Sequence, residues 1–162
     1  MAATSWNAKQ PYVRPKNGVP RIVYGLGEAA SQSYKAGTPV YLNSGAVTIC
    51  ADDTEAFTGI AMKDATGTTG TEAPVMICDL EDTIVARVVN DGTAALANTL
   101  TPGTGYGWYE DTDDVFYADS NDTSNTVLVF LEEVNDAAGA STYWGLFRVK
   151  QGITGNLDIA SE

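Results

Sequence analysis

The chain has 162 residues, of which 44% are hydrophobic, and a formal net charge of −12. A chain of this length can bury a core of its own as one domain, and its apolar runs are far shorter than the roughly 18 residues of a membrane span. The acidic balance argues against nonspecific nucleic-acid binding, which needs clustered Lys and Arg, so we expect neither a nucleic-acid nor a membrane partner.

The N-terminal region differs in charge from everything that follows it. Residues 1–21 hold four of the nine cations and none of the 21 acidic residues, so this segment is +4 and the remainder is −16. Three prolines within it exclude a regular helix and favour extended backbone. We predict an extended N-terminal arm over residues 1–20 and a single β-domain over residues 21–162. Residues 6–11 interrupt any apolar stretch, so we expect no secretory signal.

The arm is expected to dock on a surface. Its aromatic side chains are costly to leave in water, and its charge is opposite to that of the body. Its partner would be the acidic body of a neighbouring copy or the surface of a larger assembly. The predicted capsid or subunit contacts are Trp6, Lys9, Tyr12, Arg14, Lys16 and Arg21. A disordered N-terminus is the alternative.

From Arg21 onward, short β-rich runs alternate with turn residues. The predicted strands cover residues 21–24, 39–42, 47–50, 59–63, 73–78, 83–89, 106–109, 115–117, 126–134 and 143–150. Turn composition at 43–46 predicts a hairpin, and residues 110–114 are interpreted as a polar turn between two strands. The last two strands should pair antiparallel near the centre of the sheet. Segments 28–35 and 94–98 are each long enough for only a short helical turn.

Roughly ten short strands predict an all-β fold, a compact antiparallel β-barrel or sandwich with the extended N-terminal arm. Alternation is clearest in the strand over 83–89. There Ile84, Ala86 and Val88 share one face, and Thr83, Val85 and Arg87 share the other.

The composition argues against an enzyme. The sequence contains no histidine, the commonest general base and metal ligand, so Ser-His-Asp and Cys-His mechanisms are removed. We expect no catalytic residue, no cofactor and no metal. Cys50 and Cys78 each lie in a strand-like run, which favours two buried thiols over one disulfide.

Three further patterns have ordinary structural interpretations that we favour. Residues 25–30 fit G-x-G-x-x-A, but no crossover helix follows, so a bend is expected rather than a nucleotide site. The acidic stretch from Asp111 to Asp122 lacks the EF-hand spacing and is interpreted as a solvated loop rather than a calcium site. Trp108, Tyr109 and Tyr117 could stack on sugars or on a partner protein, although core positions are favoured.

Two segments resemble a known family. Residues 34–42 (YKAGTPVYL) and 57–67 (FTGIAMKDATG) are similar to strands near the start of the small head decoration, or cement, proteins of tailed bacteriophages. The similarity covers about residues 21–70, and beyond Glu72 only the β-rich character continues.

This resemblance implies a structural virion protein, made in the host cytoplasm, that binds the outer surface of the capsid and stabilises it, commonly as a trimer. Its implied partners are the major capsid protein and neighbouring copies in a homotrimer. The alternatives are another virion β-domain, associated with the tail or a fibre, or a carbohydrate-binding module that uses Trp108 and Tyr109.

Overall fold

The computed structural model describes residues 9–51, 54–134 and 143–151, which contain β-strands, one short 3₁₀ helix and no α-helix. The all-β prediction is confirmed. The strands are β1 Tyr12–Arg14, β2 Arg21–Val23, β3 Gly27–Glu28, β4 Pro39–Asn43, β5 Ala46–Ile49, β6 Gly59–Ala61, β7 Val75–Ile77, β8 Thr83–Asn90, β9 Thr93–Ala94, β10 Gly105–Glu110, β11 Phe116–Asp119, β12 Leu128–Glu133 and β13 Trp144–Val149, and the 3₁₀ helix is Ala97–Thr99. Each of the strands that the sequence predicts is present, and β1, β3 and β9 are additional.

Five strands close into a barrel in the order β8, β11, β10, β12, β13 and back to β8. Four of these pairings are antiparallel, including β12 with β13, while β11 pairs with β8 in parallel. Directions cannot alternate all the way around a ring with an odd number of strands, so one parallel pair is unavoidable. The last two predicted strands do pair antiparallel. Their predicted position near the centre of the sheet does not apply, because a closed barrel has no central strand.

The second sheet has the order β2, β7, β6, β4, β5, β3. The predicted hairpin is present as β4 and β5, with Asn43 opposite Ala46. Ser44 and Gly45 both have positive φ, 50° and 85°, which is the backbone of a type I′ turn. The polar turn predicted over 110–114 joins β10 and β11, which pair antiparallel.

The barrel and the second sheet bury one common core. Ile84, Ala86 and Val88 lie in it, as the alternation in β8 predicts. Cys50 and Cys78 lie there as buried free thiols, which confirms the two-thiol interpretation. A second apolar cluster on the other face of the second sheet includes Tyr34, Val47 and Val75.

The helical turn predicted over 28–35 is wrong. Glu28 belongs to β3, which pairs in parallel with β5, and its buried carboxylate accepts hydrogen bonds from the backbone N–H groups of Thr66 and Gly67. These contacts with distant residues take the place of a helical turn, and the segment instead turns at Ser31, where φ is 58°. The bend expected at residues 25–30 is present at Gly25, where φ is 79°, and Gly27 allows close packing, because a Cβ there would lie 3.2 Å from the Cα of Gly70. The turn predicted over 94–98 is confirmed only in part, because Ala94 belongs to β9 and the 3₁₀ helix spans Ala97–Thr99.

Candidate partner-binding face

The predicted arm contains β1, which pairs antiparallel with β8 along one edge of the barrel sheet. Val13 lies opposite Ile84 and is 8% exposed, within the common core. Pro11 and Pro15 bound this strand, a position that suits a residue with no backbone N–H to donate. Residues 12–14 are therefore part of the sheet as well as of the predicted arm.

Gln10 holds the chain just before β1 against the barrel. Its side chain is buried, with 2% of the residue exposed. The Nε2 group donates to the carbonyl of Asp114 at 2.7 Å, and Oε1 accepts from the backbone N–H of Phe116 at 3.1 Å. The N-terminal segment is thus hydrogen-bonded to β11 over about a hundred residues of sequence separation.

Two predicted contact residues meet carboxylates of the same chain. Lys16 Nζ lies 2.8 Å from Glu81 Oε1, and an Arg21 guanidinium nitrogen lies 3.6 Å from Asp79 Oδ2. Exposed pairs of this kind contribute little stability. The basic N-terminal segment therefore pairs with acidic residues of its own molecule. This is possible because the turn between β7 and β8, which carries Asp79 and Glu81, faces the segment. Contact of these residues with a partner stays a prediction.

The other predicted residues are placed differently. Lys9 is exposed and lines a shallow cleft with Arg87, Asp111 and Tyr117. Trp6 lies outside the described residues. Tyr12 and Arg14 face away from the core, on the outer surface of the barrel, as the alternating burial of β1 requires.

Tyr12 and Arg14 belong to a larger surface built on β1, β8 and β13. The ring centroids of Tyr12 and Trp144 are 6.2 Å apart, and Arg14 Cζ lies 5.9 Å from the Tyr12 centroid. Arg87 Cζ lies 5.9 Å from the Trp144 centroid. We call this surface the arginine–aromatic face and define it by Tyr12, Arg14, Arg87, Tyr143, Trp144 and Arg148.

The strand register explains why these residues meet. Arg14 and Arg148 both lie opposite Thr83, on either side of β8, so the three residues form one row across the sheet. Trp144 lies opposite Arg87 in the same way. Side chains that are directly opposite on neighbouring strands point to the same face. The face is therefore set by three strands that are distant in sequence.

The charges on this face are cationic. Among the described residues, no carboxylate lies within ion-pair distance of Arg14, Arg87 or Arg148. Glu132 lies at the border, opposite Leu146 in β12. Arg14 and Arg87 rest instead against aromatic rings, an arrangement that orients a guanidinium while leaving its N–H donors available.

The acidic loop is organised by its own carboxylates. Asp119 Oδ1 accepts from the backbone N–H groups of Asp91 and Asn121 at 3.2 and 3.0 Å. Asp122 Oδ1 accepts from the N–H of Asn125 at 3.0 Å. The solvated-loop interpretation is wrong for residues 116–119, because they form the buried strand β11 and Asp119 is only 6% exposed. In the part of the chain that the structure describes, no group of three acidic, Cys or His residues is arranged to hold a metal.

Trp108 is a core residue. It is 1% exposed, and its ring packs against Phe57 and Phe116 with centroid distances of 5.8 and 6.4 Å. Its faces are therefore unavailable for stacking on a sugar. Tyr109 packs against Tyr117 in a small outer cluster, and burial raises the pKa of the Tyr117 hydroxyl.

Comparisons with known proteins add no family to this description. No family model matches the chain, and no curated protein is significantly similar to it. The described residues contain no helix of the length and apolarity needed to cross a membrane.

Sequence reasoning identified Tyr12 and Arg14 on this face and missed Arg87, Tyr143, Trp144 and Arg148. A signal was present: Arg87 and Arg148 are charged residues at alternate positions in strands whose other side is apolar and buried, which places both on the side facing away from the core. Without the register of β8 and β13, nothing in the sequence joins them.

Proposed function

We propose that this protein is a structural component of a bacteriophage head that binds the outer surface of the capsid and stabilises it. Its proposed partners are the major capsid protein and neighbouring copies of itself in a homotrimer. One observation carries the proposal. The two segments that resemble decoration proteins are joined by three backbone hydrogen bonds of 2.8–2.9 Å. The N–H of Gly37 donates to the carbonyl of Ala61, the N–H of Ala61 donates to the carbonyl of Thr38, and the N–H of Thr58 donates to the carbonyl of Val40.

The resemblance therefore rests on one structural unit rather than on two unrelated stretches. Gly59, in the second segment, illustrates this, because a Cβ there would lie 2.1 Å from the carbonyl oxygen of Met76. Only glycine allows β6 and β7 to approach this closely. The sequence features that define the resemblance are thus the ones that this sheet needs.

The architecture suits a protein added to a preformed shell. A closed barrel presents few unpaired strand edges to which another chain could add a strand. The strongly negative charge of the body also disfavours nonspecific association between copies. Contacts that are individually weak gain avidity when many copies bind one regular lattice. Of the alternatives, a carbohydrate-binding module is disfavoured by the burial of Trp108.

The test uses heads of the phage that encodes the chain, prepared without this protein. Purified protein is added at increasing concentration, bound protein is measured by co-sedimentation, and the particles are imaged by cryo-electron microscopy. We expect saturable binding at regular positions on the outer shell and a higher temperature of DNA release. Heads that already carry the protein are the matched control and should take up none.

Two results would contradict the proposal. One is no saturable binding to undecorated heads, and the other is density for the protein only on the tail or its fibres, which would favour the other virion role. The trimer is tested separately by light scattering in solution, where the mass of a monomer of 17.1 kDa would argue against it.

A further inference from the structure

We infer that the arginine–aromatic face is the surface with which this protein docks on the capsid, and that it recognises a protein surface bearing carboxylates. This inference rests on the proposed function. Its geometric basis is the convergence of three arginines and three aromatic residues on one outer surface of the barrel, from β1, β8, β13 and the residue before β13, Tyr143.

The composition of the face is that of an interface core. Arg, Trp and Tyr are enriched at the centres of protein interfaces and among the residues that dominate binding energy, whereas Lys, Glu and Asp are depleted there. Tyr12 and Tyr143 are 39% and 42% exposed, which is unusual for large aromatic side chains in this chain. Burying these rings against a partner would remove apolar surface from water.

The charge of the face selects the partner. Three arginines without a described carboxylate partner stand together on a chain whose net charge is −12, so they form a local positive patch that an acidic surface can match. The planar guanidinium fits a carboxylate through two parallel hydrogen bonds. Arg14 and Arg148 flank Thr83, which sets their Cα atoms about 10 Å apart, two strand spacings. A fitting partner carries carboxylates at a similar separation.

A long polyanion is a poorer fit. Nucleic-acid binding surfaces extend basic charge over many phosphates, and the excess of acidic residues elsewhere on this body would repel a strand that ran beyond the face. A protein surface needs to match only the face itself. Nucleic acid therefore enters as an outcome of the test.

The face is also preorganised. Arg87 Cζ lies 5.8 Å from the ring centroid of Tyr143 and 5.9 Å from that of Trp144, and Trp144 packs in turn against Tyr12. Side chains already held in place on a closed barrel lose little conformational freedom when a partner binds. This lowers the cost of docking.

The experiment measures binding of charge-reversal variants to undecorated heads by co-sedimentation. Arg14→Glu and Arg148→Glu change exposed residues, so both should fold, which circular dichroism and thermal unfolding verify. Lys63→Glu makes the same change in charge outside the face and is the matched control. We expect each arginine variant to weaken binding about 30-fold, as the loss of an interface hot spot does, and Lys63→Glu to change it less than about threefold.

Trp144→Ala tests the aromatic part and should weaken binding by a similar factor. Raising the salt concentration should weaken binding to heads more for the wild type than for Arg148→Glu, because the variant has already lost an electrostatic interaction that salt screens.

The outcomes are distinguishable. If the wild type binds heads and both arginine variants bind as Lys63→Glu does, this face is not the docking surface, while the proposed function stands. If the wild type does not bind heads at all, the proposed function and this inference fall together. Binding of a fluorescent single-stranded oligonucleotide by the wild type, abolished in Arg148→Glu, would overturn the protein partner. Loss of a wild-type oligomer in Arg148→Glu, with unchanged binding to heads, would assign the face to contacts between copies.

Discussion

Replacing Gln10 with alanine tests whether the N-terminal segment belongs to the folded body. The side chain is buried and satisfies the N–H of Phe116 and the carbonyl of Asp114. Leaving a buried N–H unpaired costs about 1–3 kcal/mol, and the lost packing of the side chain adds roughly 1 kcal/mol. The carbonyl of Asp114 is only partly buried, so water can replace its donor. We expect the free energy of unfolding to fall by about 2–4 kcal/mol.

Urea unfolding followed by tryptophan fluorescence measures this change. With a denaturant slope of about 2 kcal/mol per molar, the midpoint should fall by roughly 1–2 M. Gln10→Met keeps the length of the side chain and removes both hydrogen bonds, so it separates hydrogen bonding from packing. Gln151→Ala is the same change at an exposed position and should alter the free energy by less than about 0.5 kcal/mol. If Gln10→Ala is as mild as Gln151→Ala, the segment is not docked as described, and the reasoning fails.

Three further predictions concern the core. Gly59→Ala would place Cβ 2.1 Å from the Met76 carbonyl oxygen and should lower the free energy of unfolding by about 3 kcal/mol or more; a urea midpoint like that of the wild type would refute the close approach. Burial raises the pKa of Tyr34 from 10.0 to about 12, so the folded state keeps a proton that the unfolded chain releases, and stability should fall between pH 10 and 12. Tyr34→Phe should lose stability less steeply over that range, and equal pH slopes in thermal unfolding would contradict this. Burial also raises the pKa of the Cys50 and Cys78 thiols, so an aromatic disulfide reagent should label both only in denaturant, and prompt labelling of the native protein would contradict their burial.

The strands were predictable because their signals are local. Alternating burial in β8 and the turn residues between β4 and β5 are fixed by period-two geometry and by which residues accept positive φ. β3 and β9 were not predictable, since two-residue strands carry no periodicity and exist only because a partner strand lies beside them. Likewise, the prolines of the arm indicated extended backbone, but not that β8 would pair with it.

Only two of the six residues of the candidate face were predicted. The sequence singled out Tyr12 and Arg14 through their unusual neighbourhood of cations, prolines and aromatics. Arg87 and Arg148 stand alone among ordinary strand residues, and only the register across β8 brings them beside Arg14. The charge contrast within the chain was visible in the sequence, but whether Lys16 and Arg21 would meet carboxylates of the same molecule was not.

The sequence by itself determined that this chain is built from short strands, where most of them lie, and which face of β8 is apolar. It also determined that the charge is divided between a basic segment and an acidic body. These properties depend on neighbours within a few residues. The tertiary structure alone decided the closure of five strands into a barrel, with its obligatory parallel pair, the attachment of the N-terminal segment to that barrel, and the assembly of the arginine–aromatic face. Those outcomes depend on which distant strands share backbone hydrogen bonds, and local periodicity carries no information about that choice.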